Sequence, residues 1–173
     1  MAALHDRGLA VELLSGDREP VVAEVAGRLG IAAGGWQAGV SPAGKAARLE
    51  RLVTEGRRVL MVGDGLNDAP ALAAATVSLS PATAVDISQT AADAIFQGGR
   101  LAPVLEALDV AAQADRLVRQ NLTLALAYNA FAVPLAVAGL VTPLLAAVAM
   151  STSSLLVVGN ALRLSRPPPT AAP

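Results

Sequence analysis

The sequence predicts an α/β domain with a parallel sheet, followed by two apolar helices that form a hairpin. The first prediction depends on short apolar runs that alternate with helical patterns over the first hundred residues. The second depends on charge, because a chain that is 54% hydrophobic carries only Arg163 and Arg166 as charged side chains after Arg119. The chain is therefore expected to have two unlike parts.

The α/β part begins with a predicted strand at residues 10–14, the turn Ser15-Gly16-Asp17 and a helix over residues 18–29. After a glycine-rich loop, the pattern predicts a helix, strand, helix, strand, helix and strand, over residues 41–55, 57–62, 70–75, 76–79, 84–90 and 94–96. Strands that alternate with helices pair in parallel, so we expect a parallel sheet.

The apolar part follows a predicted connecting helix over residues 101–120. Segments 121–140 and 143–162 are each long enough, at about 1.5 Å per residue, to cross a ~30 Å hydrocarbon core. Only two residues separate them, so the helices are expected to be antiparallel, and arginines at their outer ends place those ends in the cytoplasm. The alternative is a helical hairpin buried in a soluble domain, although such helices carry charge on a solvated face. We expect the proline-rich tail, 165–173, to be disordered.

Charge and cysteine content exclude several other classes. With 13 basic and 14 acidic residues the net charge is -1, and no basic cluster with aromatics indicates nucleic-acid binding. The chain has no cysteine, which excludes disulfides and thiolate metal sites within it. The first eleven residues contain no apolar run of signal-peptide length.

The most informative motif is GDGLNDAPAL, residues 63–72, which directly follows the apolar run 59–62. A carboxylate at the carboxyl end of a parallel strand lies where α/β folds bind ligands, so Asp64 is positioned to hold a cation. Gly63 and Gly65 allow the backbone to turn tightly, because neither has a Cβ.

Asn67 and Asp68, in the same motif, can cap the helix that is predicted to begin near Pro70. The plainer interpretation of the whole motif is a buried strand, a turn and a capped helix that bind nothing. The functional interpretation is favoured because many positions are specified at once.

The motif resembles the GDGxNDxPAL hinge motif of P-type ATPases, whose phosphorylation domain has a haloacid-dehalogenase-like, Rossmann-like fold. Two further elements occur in the family's order: Ser15-Gly16-Asp17 resembles its TGD motif with Ser for Thr, and Lys45 matches its invariant lysine. The resemblance runs from about residue 10 to the last apolar helix. It implies a partial phosphorylation domain over residues 1–100, followed by a transmembrane α-helical hairpin.

The resemblance also implies catalytic roles for Ser15, Gly16, Asp17 and Lys45. The Ser15 hydroxyl would donate to a phosphoryl oxygen, and Gly16 would let the backbone approach it. The Lys45 ammonium would neutralise the transferring phosphoryl group. Without the resemblance, Lys45 would be interpreted as a solvated helix residue.

In the same family pattern, Asp64 and Asp68 would bind Mg²⁺, which prefers one or two carboxylates together with phosphate and water. Asn67 would orient the phosphate or a water molecule. ATP would be bound mainly by parts of the ATPase that this chain does not contain.

The apolar segments resemble the last two membrane helices of copper(I)-transporting P-type ATPases. Asn121, Tyr128-Asn129 and Pro134 match the seventh helix, and residues 150–154, MSTSS, match the MxxSS pattern of the eighth. Pro134 would leave a kink or a free carbonyl.

The resemblance therefore implies a copper(I) site that includes Tyr128, Asn129, Met150 and Ser154. A thioether is a soft ligand suited to copper(I), whereas zinc-type relatives place a carboxylate in the last helix, which this chain lacks. The alternative is that the polar side chains hold helices together and Met150 fills space.

The chain contains no DKTGT, TGE or CPC motif, so we expect it to be inactive alone. We predict a carboxy-terminal part of an ATP-driven copper(I)-exporting P-type ATPase of the P1B type, multi-pass in a bacterial inner membrane with a cytoplasmic soluble part. The implied partners are the lipid membrane, the actuator, nucleotide-binding and CPC-helix regions and, as an optional partner, a copper chaperone. The alternatives are an inert truncated or split-subunit module and a membrane-anchored phosphatase.

Overall fold

The computed structural model describes residues 1–64, 66–84, 86–98 and 100–165. The chain forms two compact units, Met1–Leu105 and Glu106–Pro173. The predicted disorder of the tail falls, from residue 166 on, outside the described residues.

The first unit consists of short strands and helices that alternate along the chain. Its helices are α1 (Ala2–His5), α2 (Glu19–Leu29), α3 (Pro42–Thr54), α4 (Ala69–Ala74) and α5 (Asp86–Ala91). Its strands are β1 (Leu13–Leu14), β2 (Trp36–Gln37), β3 (Leu60–Val62), β4 (Val77–Pro81) and β5 (Ala94–Phe96). A 3₁₀ turn, Leu66–Asp68, precedes α4. The predicted order of elements is confirmed, except that α1 and β2 were not expected.

All strand pairs of this unit are parallel, as the sequence predicts, but they fall into two sheets. In one sheet β1 pairs with β2, with Leu13 opposite Trp36. In the other, β4 lies between β3 and β5. The two-residue strand β2 lies inside the loop predicted from its glycines, and a strand that short has no periodicity by which the sequence could show it.

The core of the first unit lies between its helices and the three-stranded sheet. Helix α3 packs against α4, which in turn contacts β3 and β4. Helix α3 begins with Ser41, whose Oγ accepts a hydrogen bond from Gly44 N at 3.1 Å, and with Pro42 at a position that needs no N–H donor. Most of the core consists of aliphatic side chains, namely Val22, Ala26, Ile31, Leu49, Leu52, Ala71, Leu72 and Leu79.

The second unit contains most of α6 (Ala102–Val137), together with α7 (Pro143–Ala161) and a 3₁₀ turn (Leu162–Ser165). The predicted connecting helix and the first apolar segment are one continuous helix. Pro134 lies inside α6 without ending it, and Ala138 N donates to Pro134 O at 2.9 Å.

The connection between α6 and α7 covers residues 138–142 and is longer than the two residues predicted. Helix α6 ends early because Gly139 takes a left-handed conformation, with φ +73°. Leu140 N then donates to Leu135 O and Gly139 N to Ala136 O, which closes the helix end. On the other side, Thr142 caps α7 by accepting from Leu145 N at 3.3 Å.

Within the described ranges, one helical segment is long and apolar enough to cross a membrane. It is Pro143–Leu164, with 22 residues and a mean hydropathy of 1.7, and none of its apolar window is buried within the chain. The companion segment, 121–140, belongs to α6, which does not reach the same hydropathy. Polar side chains such as Gln120, Asn121 and Asn129 lower its average, so the two-span hairpin stays a prediction.

Candidate functional site

The structure brings two of the predicted site residues into direct contact. Lys45 lies in the first turn of α3 and Asp68 lies directly before α4. Lys45 Nζ donates to Asp68 Oδ1 at 2.6 Å, and each side chain is 12% exposed. A short charge-assisted bond in such a shielded place is stronger than one at an open surface. The packing of α3 against α4 thus joins residues that are 23 positions apart in the chain.

The side chain of Asp68 does not cap α4, which corrects the expectation from its position. Asp68 is the residue that precedes the helix, but it makes no side-chain capping bond, and its carboxylate points to Lys45 instead. Gly63 makes room for this arrangement, since a Cβ at that position would lie 2.8 Å from Asp68 Cβ. The first glycine of the motif is therefore required by a close side-chain approach.

Asp64 and Asn67 are exposed around the turn that follows β3, while Gly65 lies outside the described residues. No group of three or more acidic, histidine or cysteine side chains gathers as a metal cluster among the residues that the structure places. The turn offers two carboxylates, those of Asp64 and Asp68. This donor set fits Mg²⁺, which binds proteins through one or two carboxylates and completes its shell with phosphate oxygens and water.

The Ser15-Gly16-Asp17 turn contains hydrogen bonds within itself and accepts others from the two residues that precede Ser41, the N-cap of α3. Ser15 Oγ donates to Asp17 Oδ2 at 3.0 Å and accepts from Asp17 N at 3.2 Å. Val40 N donates to Ser15 O, and Gly39 N donates to Asp17 O, each at 2.9 Å. A Cβ at Gly16 would lie 3.5 Å from Val40 O, an ordinary contact, so the protein's own atoms do not exclude a side chain there.

A second ion pair, which was not predicted, links the start of β1 to α3. Arg48 forms a bidentate ion pair with Glu12: Nη2 donates to Oε1 at 2.7 Å and Nε donates to Oε2 at 3.1 Å. The hydrogen bond with Glu12 raises the pKa of Arg48. Glu12 directly precedes β1 and Arg48 lies one turn after Lys45, so the pair ties β1 to the helix that carries the lysine.

The strand after the motif contains two buried serines that sequence reasoning also missed. Ser78 N and Oγ donate to Asp93 Oδ2 at 2.8 and 3.0 Å, and Asp93 N donates back to Ser78 Oγ at 3.1 Å. Ser80 is fully buried, and its hydroxyl has no hydrogen-bond partner among the described residues. Hydroxyls in an apolar strand pattern indicate burial but do not show which partner they reach.

In the second unit, the less exposed side chains form one stripe along each helix. The stripes are Asn121, Ala125, Tyr128 and Ala132 on α6, and Ala149, Ser153, Val157 and Asn160 on α7. Residues spaced by three and four lie on one face of a helix. Asn160 Nδ2 donates to Asn121 Oδ1 at 2.9 Å, so these are the faces on which the helices approach each other.

The four predicted copper ligands do not all lie on these facing stripes. Tyr128 does, whereas Asn129, Met150 and Ser154 are exposed, Met150 to 67%. The Asn129 amide donates to Ala125 O of its own helix at 2.9 Å. Met150 and Ser154 share a face of α7 that other helices would have to cover.

The first unit combines parallel strands, a carboxylate turn at the end of β3 and a lysine that is paired with that turn. A family model of haloacid dehalogenase-like hydrolases matches residues 1–76. The class of protein is therefore a haloacid-dehalogenase-like α/β domain, followed in this chain by a helix apolar enough to span a membrane.

Individual relatives define the class further. Nitrogen fixation protein FixI of Bradyrhizobium diazoefficiens is 57% identical over 163 residues, which are 94% of this chain and 22% of that protein. Probable copper-exporting P-type ATPase V of Mycobacterium tuberculosis is 42% identical over 94% of this chain and 21% of its own length. The crystal structure of a zinc-transporting PIB-type ATPase in the E2.Pi state matches with a TM-score of 0.88 and 30% identity, over 95% of this chain and 27% of that one.

This chain is a homologue of P-type ATPases over nearly its whole length. It spans about a fifth of the length of the curated relatives that it matches.

Proposed function

We propose that the chain is a carboxy-terminal part of an ATP-driven, copper(I)-exporting P-type ATPase. In this proposal the first unit supplies Mg²⁺- and phosphate-binding residues, and the second supplies part of the copper path through the membrane. The observation that carries the proposal is the 2.6 Å contact between Lys45 and Asp68 beside the exposed Asp64 turn. This contact brings together Lys45, which matches the family's invariant lysine, and the motif at residues 63–72.

The Lys45–Asp68 pair supports a role in phosphate binding because of its charge and its setting. A lysine and a carboxylate that neutralise each other can exchange partners when phosphate and a cation arrive. Lys45 would then hold phosphoryl oxygens, as an ammonium does in other phosphoryl-transfer sites. Ser15 would donate its hydroxyl to the same group, and Asn67 would orient the phosphate or a water molecule.

Asp64 and Asp68 are the residues that would hold Mg²⁺. When bound, the ion would neutralise charge that develops on the phosphoryl oxygens. Asp64 is exposed and open to a ligand, whereas Asp68 would have to share its carboxylate with Lys45.

The remainder of the ATPase would supply the phosphorylated aspartate and the actuator, nucleotide-binding and cysteine-bearing regions. Two strand edges support such a complement. In the described residues β1 pairs only with β2, and β3 pairs only with β4, so each leaves an edge whose backbone groups lack a ladder partner. We expect a strand from the remainder to pair at these edges.

Copper(I) as the transported ion is supported by ligand chemistry and by one relative. Met150 offers a soft thioether, Tyr128 and Asn129 lie in the facing helix, and residues 143–165 contain no carboxylate. The Mycobacterium relative is named as a copper exporter, while the matching crystal structure is of a zinc transporter. The metal therefore has to be tested directly. A copper chaperone would be a further partner if delivery requires one.

We further propose that both apolar segments cross a bacterial inner membrane, with the soluble unit in the cytoplasm. The arginines next to the outer ends of the two apolar segments, Arg116, Arg119 and Arg163, favour that side. Lipid would then cover the exposed aliphatic side chains of α7, such as Leu144 and Leu155, which are 74% and 73% exposed.

The test is metal-dependent ATP hydrolysis in lipid vesicles under reducing conditions. The chain alone is compared with the chain plus a fragment that carries the DKTGT, TGE and cysteine motifs, with copper(I) or zinc(II) as the metal. We expect no hydrolysis from the chain alone and copper(I)-stimulated hydrolysis from the pair. Asp64→Ala and Met150→Ala should each abolish the stimulation.

The matched controls are Asp6→Ala, an exposed acidic residue near the amino terminus, and Leu155→Ala, an exposed apolar residue on α7. Both should retain the stimulation. Hydrolysis by the chain alone would contradict the need for a supplied aspartate, and zinc stimulation would contradict copper. If the chain and the fragment together hydrolyse no ATP although both are folded, the alternative of an inert module is favoured.

A further inference from the structure

We propose that Asn160 is a positioning residue: its hydrogen bonds hold α7 to α6 at the end of the hairpin near Arg119 and Arg163, here called the arginine end, and set the register of Tyr128 against Ser153. We call this set of hydrogen bonds the lock. The importance of the register for ion movement depends on the function proposed above, but the existence of the lock does not. No family motif pointed to Asn160.

Asn160 is the centre of a hydrogen-bond cluster between the two helices. Its Nδ2 donates to Asn121 Oδ1 at 2.9 Å and to Gln120 Oε1 at 3.3 Å, and its Oδ1 accepts from Arg163 Nη1 at 3.0 Å. Gln113 Nε2 adds a bond to Arg163 O at 3.3 Å. Three of these four bonds cross from one helix to the other.

The orientation of the Asn160 amide follows from chemistry. A guanidinium can only donate, so the atom facing Arg163 must be the amide oxygen. The amide nitrogen then faces α6, where it donates both of its protons, and Asn121 and Gln120 must present their oxygens. Asn160 is therefore the donor and its α6 partners are acceptors.

Away from this cluster, the described side chains of α6 and α7 form no hydrogen bond with each other. The facing stripes offer Ala125, Tyr128 and Ala132 on α6, and Ala149, Ser153 and Val157 on α7. Packing of such side chains contributes to helix association, but a hydrogen bond has a stricter distance requirement, so the cluster is the contact that defines the register. At its other end the hairpin is held by the chain itself, through residues 138–142.

The cluster determines which residues lie level with each other. Partner numbers fall along α7 and the 3₁₀ turn after it as they rise along α6, from Gln113 with Arg163 to Asn121 with Asn160, as in antiparallel helices. Tyr128 lies seven residues after Asn121, and Ser153 lies seven before Asn160. Both are two turns, about 10.5 Å, from the bonded pair. The lock therefore places Tyr128 and Ser153 at the same depth, on facing stripes.

The first test measures the hairpin without any metal. The chain has no cysteine, so pairs of introduced cysteines can be spin-labelled in lipid nanodiscs. Val118→Cys with Val158→Cys reports the arginine end, and Val137→Cys with Leu144→Cys reports the connected end; all four positions are exposed. Asn160→Leu should broaden the first distance distribution, with the separated population rising roughly 3- to 20-fold, and leave the second unchanged.

Two changes test the bonds. Asn160→Val removes both donors and the acceptor with little change in size, and it should open the arginine end as Asn160→Leu does. Asn121→Asp keeps the acceptor and should leave the distance unchanged. Thr152→Val is the matched control, because among the described residues Thr152 Oγ1 bonds Val148 O of its own helix at 2.8 Å, and it should also leave the distance unchanged. Wild-type distances in Asn160→Val, or equal opening in Asn160→Val and Asn121→Asp, would overturn the proposal.

The second test uses the pair of chain and complementing fragment. Asn160→Val should raise the copper(I) concentration needed for half-maximal hydrolysis roughly 3- to 20-fold, with a smaller change in maximal rate. An opened hairpin with unchanged copper dependence would overturn the positioning role. If no variant, including the wild type, responds to copper while the label distances shift as expected, the proposed function fails and the lock stands.

Discussion

The Lys45–Asp68 ion pair leads to the prediction that the structure supports in most detail. Replacing Lys45 by Met, or Asp68 by Asn, removes one charge and leaves its partner in a site where each side chain is only 12% exposed. Removing one member of a fully buried pair costs about 3–5 kcal/mol. Since some water reaches this pair, we expect each single substitution to lower the free energy of unfolding by about 2–3 kcal/mol.

The double substitution separates the pair's own interaction from the cost of a shielded charge that has lost this ion pair. Because it removes both charges, it should be less destabilising than the sum of the single changes by about 1–3 kcal/mol. The assay is urea unfolding of the full chain in detergent micelles, followed by the fluorescence of Trp36, the only tryptophan, which lies in β2 of the same unit. Helical content measured in parallel confirms that each variant starts folded.

Additive effects, or single changes below about 0.5 kcal/mol, would contradict this prediction, because they would mean that the two charges are independently solvated. The matched control is Arg57→Met, since Arg57 pairs with Glu55 at 3.8 Å on an open surface, with side-chain exposures of 63% and 48%. That change should lie within about 0.5 kcal/mol of wild type.

Three further predictions use the same unfolding assay. Gly63→Ala should destabilise the fold by about 1–3 kcal/mol, because its Cβ would lie 2.8 Å from Asp68 Cβ, and an effect near zero would mean that Asp68 moves freely. Ser80→Ala should leave the free energy of unfolding unchanged or raise it by about 1–2 kcal/mol, since it removes a fully buried hydroxyl that has no partner in the described part of the chain. A clear loss of stability would mean that this hydroxyl does make a hydrogen bond. Arg48→Lys should lower stability by about 0.5–1 kcal/mol, because an ammonium cannot grip Glu12 at two points, and Glu12→Gln should cost a similar amount if the pair accounts for the effect.

The order of the elements could be predicted because the information is local. The start of α3 follows from Ser41 and Pro42, whose capping and backbone preferences act within one turn. Likewise, a carboxylate after the apolar run that becomes β3 defines the Asp64 turn without knowledge of any distant residue. The ends of elements were less certain, as at Gly139, where competing bonds at the helix end decided the boundary.

The number of sheets could not be predicted in the same way. Alternating strands and helices imply parallel pairing, which the structure confirms, but they do not state which strands become neighbours. Backbone pairing between β1 and β2 depends on how α2 and the loops on either side of it return the chain, and β2 has only two residues. Its pairing therefore leaves no periodic trace in the sequence.

Local patterns in the sequence were enough to predict the alternation of elements, the division into a charged and an apolar part, and phosphoryl chemistry at Lys45, Asp64 and Asp68. The contacts of Lys45 with Asp68 and of Asn160 with Asn121, 23 and 39 residues apart, came from the fold. Propensities and caps act over one or two turns, whereas a hydrogen bond or ion pair requires contact in space. The packing of α3 on α4, and of α6 beside α7, creates those contacts.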